Sequence, residues 1–154
     1  MADNFWIKKI WFLVIIIVVV LVILIIGWQL SARQPEKKVL IIGQTEIAVE
    51  IADSVSLRAQ GLSGRKFLAE NQGLLFVFPQ PLRPVFWMKN MLFPIDIIWL
   101  KDNRVVGDEK NLPPAGENPQ FLYRPPEEID MVLEVKAGWV DEHDIKVGDE
   151  MIIK

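Results

Sequence analysis

An uninterrupted apolar run fills most of the first thirty residues. Residues 10–26 carry no charge, and Gly27 and Trp28 extend the run to 19 residues. At about 1.5 Å per residue this makes a helix of roughly 28 Å, close to the ~30 Å hydrocarbon core of a bilayer. Ile and Val dominate the run, but a segment isolated in lipid must satisfy its backbone groups as a helix. The pattern predicts a transmembrane helix over residues 10–28, after a short basic segment over residues 1–9.

A cleaved signal peptide is the alternative to a retained anchor. Signal peptides have an apolar region of about 7–15 residues, followed by a small-x-small cleavage site. Here the run is longer, and residues 30–32 (LSA) place leucine where a small residue is needed. Trp6, Trp11 and Trp28 lie near the two ends of the run, where tryptophan favours the membrane interface. The anchor is therefore the favoured interpretation.

The number of basic residues is nearly balanced across the run, so their positions rather than their count predict its orientation. Lys8 and Lys9 directly precede it, whereas the cations that follow, Arg33, Lys37 and Lys38, lie farther away. A basic segment ahead of an N-terminal anchor is typical of a signal-anchor, which keeps its basic end in the cytoplasm. We expect a single-pass protein of the cell membrane, with the bilayer as the partner of residues 10–28 and an extracytoplasmic C-terminal domain.

The rest of the chain alternates apolar and polar residues as β-strands do. Residues 29–37 (QLSARQPEK) are predicted to be a short linker, stiffened by Pro35. Residues 39–42 and 46–51 then predict a hairpin around Gly43. Further strands are predicted over residues 73–78, 85–89, 95–100, 104–108, 131–135 and 151–153. Short helices or helical turns are predicted over 57–60, with Asp53 or Ser54 as N-cap, over 66–70 and over 137–144.

These elements predict a mainly-β domain over residues 38–154. Short strands with Gly/Pro turns and no βαβ alternation are typical of a compact sandwich, roll or barrel with one or two short helices. The strand over 73–78 does not alternate, which indicates burial on both faces, and three prolines are expected to end it. Residues 112–126 contain five prolines and are expected to form a long loop that docks on the domain.

Composition excludes several kinds of site. The chain has no cysteine, which rules out disulfides, thiolate metal sites and a cysteine nucleophile, and no cofactor is predicted. After residue 32 acidic residues outnumber basic ones by 19 to 15 with the signs interspersed, so no nucleic-acid partner is expected. His143 is the only histidine, and acids adjacent to it in sequence do not converge easily on one ion. No metal site is predicted.

Several short motifs occur in the order found in a known family. They are AQGLSGR (59–65), GLLFVF (73–78), FWMKN (86–90) before FPIDIIW (93–99), VLEV (132–135) with Ala137-Gly138, and IKVGD (145–149). In these motifs residues 39–154 closely resemble the domain-of-unknown-function 192 family. The resemblance implies a mainly-β sandwich or roll and commonly an N-terminal export or anchor segment. It implies no reaction, because the family's activity is not established. Ser63 and Met91 depart from it, standing where methionine and threonine are frequent.

An acidic residue within an apolar strand is the strongest local anomaly. Asp96 lies between Ile95 and Ile97, and a carboxylate buried there needs a partner. Three basic residues are the possible partners: Lys89, Arg58 and Arg65. In a functional site Asp96 would act as a base or orienting group, Lys89 as a cation for an anionic ligand, and Asn90 as a donor. Alternatively, these residues form a structural network that holds a helix to the sheet.

The two arginines offer a second possible anion site. Arg58 and Arg65 are seven residues apart and would share a face of a continuous helix, although Gly61 and Gly64 interrupt the pattern. They would clamp a phosphate or carboxylate, or else be ordinary surface arginines. The candidate ligand-binding residues are thus Arg58, Arg65, Trp87, Lys89, Asn90 and Asp96.

Three functions are compatible with these patterns. The first is a tethered module that binds an unknown envelope ligand or protein near Trp87, Lys89 and Asp96. The second is a hydrolase or lyase that acts on an envelope component through Asp96 and Lys89. The third is a purely structural or assembly domain. Convergence of Lys89, Asn90 and Asp96 on an open pocket with unpaired polar atoms would favour binding or catalysis, whereas a buried and fully paired Asp96 would favour the structural function.

Overall fold

The structure is a computed structural model that describes residues 4–31 and 35–154, with side chains over 6–25 and 35–154. The chain divides into two compact units, Met1–Gln34 and Pro35–Lys154. Residues 32–34, which include Arg33 and the last residue of the LSA segment, lie outside the described residues.

The N-terminal unit contains one helix, α1, over Asn4–Ser31. Its segment Trp6–Ile25 is long and apolar enough to cross a membrane, a property that signal sequences share. The apolar helix predicted over residues 10–28 is therefore present, and it extends beyond both predicted ends. Because α1 reaches Ser31 and the first strand begins at Lys37, residues at both ends of the predicted linker belong to regular elements.

The second unit is built on a seven-stranded sheet. Its strands are β1 (Lys37–Ile42), β2 (Thr45–Ala52), β3 (Gln72–Leu82), β4 (Ile95–Lys101), β5 (Arg104–Leu112), β6 (Ile129–Lys136) and β7 (Met151–Ile153), with helices α2 (Val55–Gln60) and α3 (Trp139–Glu142). The strand order is β5-β4-β6-β3-β2-β1-β7. Neighbouring strands are antiparallel, except that β2 and β3 are parallel.

The sheet curls until its two edges approach each other. The amide of Val105 on β5 donates to the carbonyl of Asp149 at 3.0 Å, and the amide of Met151 on β7 donates to the carbonyl of Asn103 at 2.8 Å. Arg104 and Glu150 form an antiparallel bridge between them. The prediction of a mainly-β roll or barrel with short helices is confirmed in the form of this curled half-barrel.

Each face of the sheet carries its own apolar cluster, because successive strand side chains point to opposite sides. The inner cluster includes Leu75, Ile98 and Leu133, together with Trp139 and Val140 of α3. The outer cluster includes Leu74, Phe76, Met88, Ile97 and Val132. The apolar run in β3 is therefore covered on both sides, as its lack of alternation predicted.

Prolines did not end β3 where the sequence suggested. The strand continues through Pro79 and Pro81 to Leu82, and its register with β6 shifts between Val77 and Leu82. Proline is tolerated at such an irregularity because no ladder hydrogen bond is required of its nitrogen there. The predicted strand over residues 85–89 is wrong, since this segment makes only an isolated bridge between Phe86 and Tyr123.

The short helix predicted over residues 57–60 is confirmed as α2, but the pattern did not reveal that it lies in a crossover between parallel strands. A parallel pair requires such a connection, and α2 supplies it. Ser54 is the N-cap, with its hydroxyl oxygen accepting from the amide of Leu57 at 3.2 Å. The predicted turn over 66–70 is not helical, and α3 is shorter than the predicted segment 137–144.

The proline-rich loop docks on the domain, as predicted. Phe86 and Tyr123 exchange two backbone hydrogen bonds of 2.9 Å. The amide of Ala115 donates to the carbonyl of Met88 at 3.2 Å, and that of Asn90 donates to the carbonyl of Gly116 at 2.8 Å. Side chains from both segments pack against the outer cluster, and residues 84–87 with Met91 also form one wall of a cleft.

Candidate functional site

Asp96 is fully buried, with both of its carboxylate oxygens paired. Oδ1 accepts from the amide of Asn111 at 2.7 Å, and Oδ2 accepts from the amide of Val140 at 3.0 Å. The donors belong to β5 and α3, so the carboxylate fastens the end of one strand and a short helix to β4. Because Asp96 is opposite Val135 in the register, it points to the inner face of the sheet. Asp96 therefore pairs with backbone amides and not with Lys89, Arg58 or Arg65, the cationic partners expected from the sequence.

Lys89 and Asn90 make hydrogen bonds through their backbone carbonyl groups. The carbonyl of Lys89 accepts from the Ser63 hydroxyl at 3.0 Å, and that of Asn90 accepts from the amide of Gly64 at 3.0 Å. Asn90 has a φ of 56°, a left-handed conformation that asparagine tolerates better than most residues. Both side chains are exposed. The Lys-Asn pair thus ties the turn after α2 to residues 86–91, and it does not meet Asp96.

Arg65 is committed to an ion pair. Its Nη1 and Nη2 donate to the two carboxylate oxygens of Glu50 at 3.1 and 2.6 Å. These hydrogen bonds are the main reason that the pKa of Glu50 is lowered from its usual range. Arg65 and Arg58 do not share a continuous helix, because α2 ends at Gln60 and Gly61 has a φ of 52°.

Arg58 is held in place from two directions. Its Nη1 donates to the carbonyls of Asp53 at 2.6 Å and Val77 at 2.9 Å. The guanidinium carbon lies 5.6 Å from the centroid of the Phe78 ring, within range of a cation–π contact. Among the described residues, no carboxylate forms an ion pair with Arg58. The Nη1 edge of the guanidinium is therefore fixed, and the N–H donors on Nε and Nη2 have no acceptor among the described residues.

Arg58 lines a cleft of about 350 Å³ on the outer face of the sheet. The cleft lies between α2 with its following turn and residues 84–91, and Trp87, which is 53% exposed, also borders it. The aromatic contacts near it are edge-to-face, with centroids 5.1 Å apart for Phe76 and Phe86 and 5.5 Å apart for Phe86 and Trp99. A volume of this size lies at the lower end of the range for small-ligand pockets.

Glu134 is the functional candidate that sequence reasoning missed. Its side chain lines the cleft, is only 6% exposed, and has a buried Oε2 without a hydrogen-bond partner in the described residues. Burial raises the pKa of Glu134 to about 8, against a smaller lowering by the charge of Arg65. The carboxyl group is therefore mostly protonated at neutral pH. A cleft residue with such a displaced pKa is a candidate for ligand binding or proton transfer.

The signal for Glu134 was present in the sequence. It lies between Leu133 and Val135 in an apolar strand, just as Asp96 lies between two isoleucines. The rule that a buried acid needs a partner applies equally to both residues. In the register, Glu134 is opposite Ile97 and so faces the outer side, whereas Asp96 faces the inner side.

The structure thus brings together two of the six predicted residues, Arg58 and Trp87, around Glu134. Arg65 lies close enough for its charge to act on Glu134, but Glu50 holds its guanidinium. His143 stacks on Trp139 with ring centroids 4.4 Å apart. Within residues 4–31 and 35–154, no group of three or more potential ligands is arranged to hold a metal ion.

Known proteins resemble this domain in sequence and fold. A candidate transcription regulator from Sinorhizobium meliloti 1021 superimposes with a TM-score of 0.72 at 26% identity, over 78% of this chain and 95% of that one. A protein of unknown function from Novosphingobium aromaticivorans DSM 12444 gives a TM-score of 0.68 at 27% identity, over 79% and 94%. No curated protein matches the chain. The model of the domain-of-unknown-function 192 family (DUF192, Uncharacterized ACR) matches residues 38–153, and the chain therefore belongs to that family.

Proposed function

We propose that this chain is a membrane-anchored module that binds a small ligand in the cleft beneath α2. The observation that carries the proposal is the buried Oε2 of Glu134, which has no hydrogen-bond partner in the described residues, in the wall of an otherwise largely apolar cleft. Leaving a buried polar group unsatisfied costs about 1–3 kcal/mol, so each such group needs an explanation. Among the described residues, Oδ1 of Asp130 is also buried without a partner, but Asp130 does not line the cleft. A ligand that hydrogen-bonds to Glu134 would remove this cost.

The geometry favours binding over the two alternative functions. A hydrolase or lyase using Asp96 and Lys89 requires the two side chains to meet, but Asp96 is paired on the inner face and Lys89 is exposed. A purely structural role accounts for Asp96 and for the Arg65–Glu50 pair. It gives no reason for an open cleft with an unpartnered acid. The binding hypothesis is retained, with its centre moved from Lys89 and Asp96 to Arg58, Trp87 and Glu134.

Methionine methyl signals provide a local test of binding. We expect 3-phenylpropan-1-ol, a neutral aromatic probe, to shift the ¹³C-methyl resonance of Met91, which lines the cleft, when added to the full chain in lipid nanodiscs. The resonance of Met151, which lies in the inner cluster, should not move. Probes of this size bind with dissociation constants of about 1 mM, which suits an NMR titration.

A blocking variant and its matched control complete the test. Ala59 is exposed and lines the cleft, so Ala59→Trp should fill it and abolish the Met91 shift. Ala48 is also exposed but lies on β2 away from this cleft, and Ala48→Trp should leave the shift unchanged. Equal shifts of Met91 and Met151, or a Met91 shift that survives Ala59→Trp, would refute cleft binding.

The anchor is the second part of the proposal. The apolar segment Trp6–Ile25, with Lys8 and Lys9 at its N-terminal end, supports a single-pass signal-anchor with the domain outside the cytoplasm. An arginine at the centre of a transmembrane helix costs about 2.5–3.5 kcal/mol on insertion scales. We expect Val18→Arg to move a large share of the protein from the carbonate-resistant membrane pellet to the soluble fraction.

The control for this variant is Val18→Leu, which keeps the segment apolar and should remain in the pellet. External protease should remove the domain from intact spheroplasts that carry the unmodified chain. Recovery of the unmodified chain in the soluble fraction would contradict the anchor, and full protection from external protease would contradict the orientation.

A further inference from the structure

The charges around the cleft indicate which ligand it takes. Arg58 is a permanent cation, and no described carboxylate pairs with it. Glu134, the acid that shares the cleft, is held mostly in its neutral form by burial. Arg65 and Glu50 compensate each other as a bidentate pair. Near neutral pH the cleft is therefore positive at Arg58, which favours an anion and disfavours a cation.

The donors in the cleft match a carboxylate. Nη1 of Arg58 is used by two backbone carbonyls, which fixes the plane of the guanidinium and leaves Nε and Nη2 without described acceptors. The planar fork of arginine binds a carboxylate through two N–H donors. The protonated carboxyl of Glu134 supplies one further O–H donor, for a hydroxyl or carbonyl oxygen elsewhere on the ligand.

The rest of the lining suits a flat apolar body. Phe76, Phe78, Phe86 and Trp87 all border the cleft, and Met91 adds a further apolar surface. Edge-to-face packing of Phe76 and Phe86 orients their rings as fixed surfaces against which a planar group can stack. We infer that the cleft is a site for a small organic acid with an aromatic or otherwise flat apolar body, whose carboxylate binds Arg58.

This inference rests on the proposed function, and it adds a pH signature that simple binding lacks. Arg65, which is paired with Glu50, is the charged group that acts on Glu134, and Arg58 is the other charged side chain that lines the cleft. Its neighbours in the register on β3 and β4, Leu74 and Ile97, are apolar. The wall over residues 84–87 and Met91 contributes no charged side chain to the lining. Ionisation of Glu134 above about pH 8 would place a negative charge in the same cleft as the bound anion and weaken binding.

Three probes with the same phenylpropyl group distinguish an anion site from a cation site and from a site without charge preference. They are 3-phenylpropionate, 3-phenylpropan-1-ol and 3-phenylpropylamine, titrated into the full chain in nanodiscs with the Met91 methyl signal as readout. At pH 6.5 we expect the carboxylate to bind about tenfold more tightly than the alcohol, and the amine to bind most weakly. Equal affinities of carboxylate and alcohol would refute the inference but leave the proposed function intact. Tightest binding by the amine would refute it in favour of a cation site.

The pH dependence identifies Glu134 as the acid responsible. Between pH 6.5 and 9.5 we expect the affinity for 3-phenylpropionate to fall about tenfold, which corresponds to one further pKa unit imposed on Glu134 by the anion. In Glu134→Gln, which cannot ionise, the affinity should be the same at both pH values. An identical fall in this variant would overturn the assignment, as would an affinity of the unmodified chain that does not change with pH.

Two further variants test the role of Arg58. Arg58→Gln should abolish the preference for the carboxylate over the alcohol while binding of the alcohol persists, which also reports that the cleft remains folded. Lys89→Gln removes an exposed cation that does not line the cleft, and it should leave the preference unchanged. A preference that survives Arg58→Gln, or one that Lys89→Gln removes, would contradict the inference. If Arg58→Gln does not fold, the inference is tested by the comparison of the unmodified chain with Glu134→Gln at pH 6.5 and 9.5.

Discussion

Replacement of Asp96 by alanine is expected to destabilise the domain by about 3–5 kcal/mol. The substitution removes the acceptor of two backbone amides, the part-buried amide of Asn111 and the buried amide of Val140, and the latter is left without a partner. It also removes the hydrogen bond by which β4 holds α3. Urea unfolding of the full chain, followed by tryptophan fluorescence, measures the loss.

Two related variants distinguish this structural role from a role in ligand binding. Asp96→Asn keeps one acceptor oxygen but turns an NH₂ group toward a backbone N–H, so an intermediate loss is expected. Lys89→Ala, in the same sequence block, should change stability by less than about 0.5 kcal/mol because its side chain is exposed. Loss of less than 1 kcal/mol in Asp96→Ala, or an equal loss in Lys89→Ala, would show that the two amides do not depend on Asp96.

Glu134→Gln is expected to change how stability depends on pH. In the folded domain the pKa of Glu134 is raised from 4.5 to about 8, so the native state keeps a proton that the unfolded chain has released. Between about pH 4.5 and 8 the unfolded state binds fewer protons, and this group therefore makes the free energy of unfolding fall as pH rises. Over this pH range the ionisation of Glu134 lowers the free energy of unfolding by about 3–5 kcal/mol.

Because glutamine cannot ionise, the variant should escape this loss. At pH 4, where Glu134 is protonated in both states, the variant and the unmodified chain should have similar stabilities. At pH 9 the variant should be more stable by about 3–5 kcal/mol. Glu117→Gln makes the same chemical change on the exposed loop, and its unfolding curves should follow those of the unmodified chain. Parallel stability profiles for Glu134→Gln and the unmodified chain would show that the carboxyl group is not held neutral.

Local patterns predicted much of the sheet because the responsible forces act over a few residues. The two-residue turn at Gly43 and the alternation that follows it specify the β1–β2 hairpin, which the structure confirms. The last strand, over residues 151–153, was also predicted with the observed bounds. The strand predicted over residues 85–89 is wrong because its conformation depends on contacts with segments distant in sequence. That apolar segment packs over the outer cluster through its side chains and finds only one bridging partner in the loop.

The candidate site was predicted less well, because it depends on which segments come together. Arg58 and Trp87 were identified by residue type and do line the cleft. Trp87 was grouped with Lys89 and Asp96 through proximity in sequence, and Arg58 as a possible charge partner of Asp96. The cleft is instead assembled from α2 and its following turn, β3, β6, residues 84–87 and Met91. The crossover that carries α2 over β3 could not be inferred from strand periodicity.

By itself, the sequence determined an apolar helix, a mainly-β domain and two acids set within apolar strands. Only the tertiary structure decided what each acid does. Asp96 and Glu134 have the same local signature, but strand pairing directs them to opposite faces of one sheet. On the inner face, two amides from β5 and α3 satisfy Asp96. On the outer face, the segments that cover Glu134 leave a cleft, and this difference in surroundings makes one acid structural and the other available to a ligand.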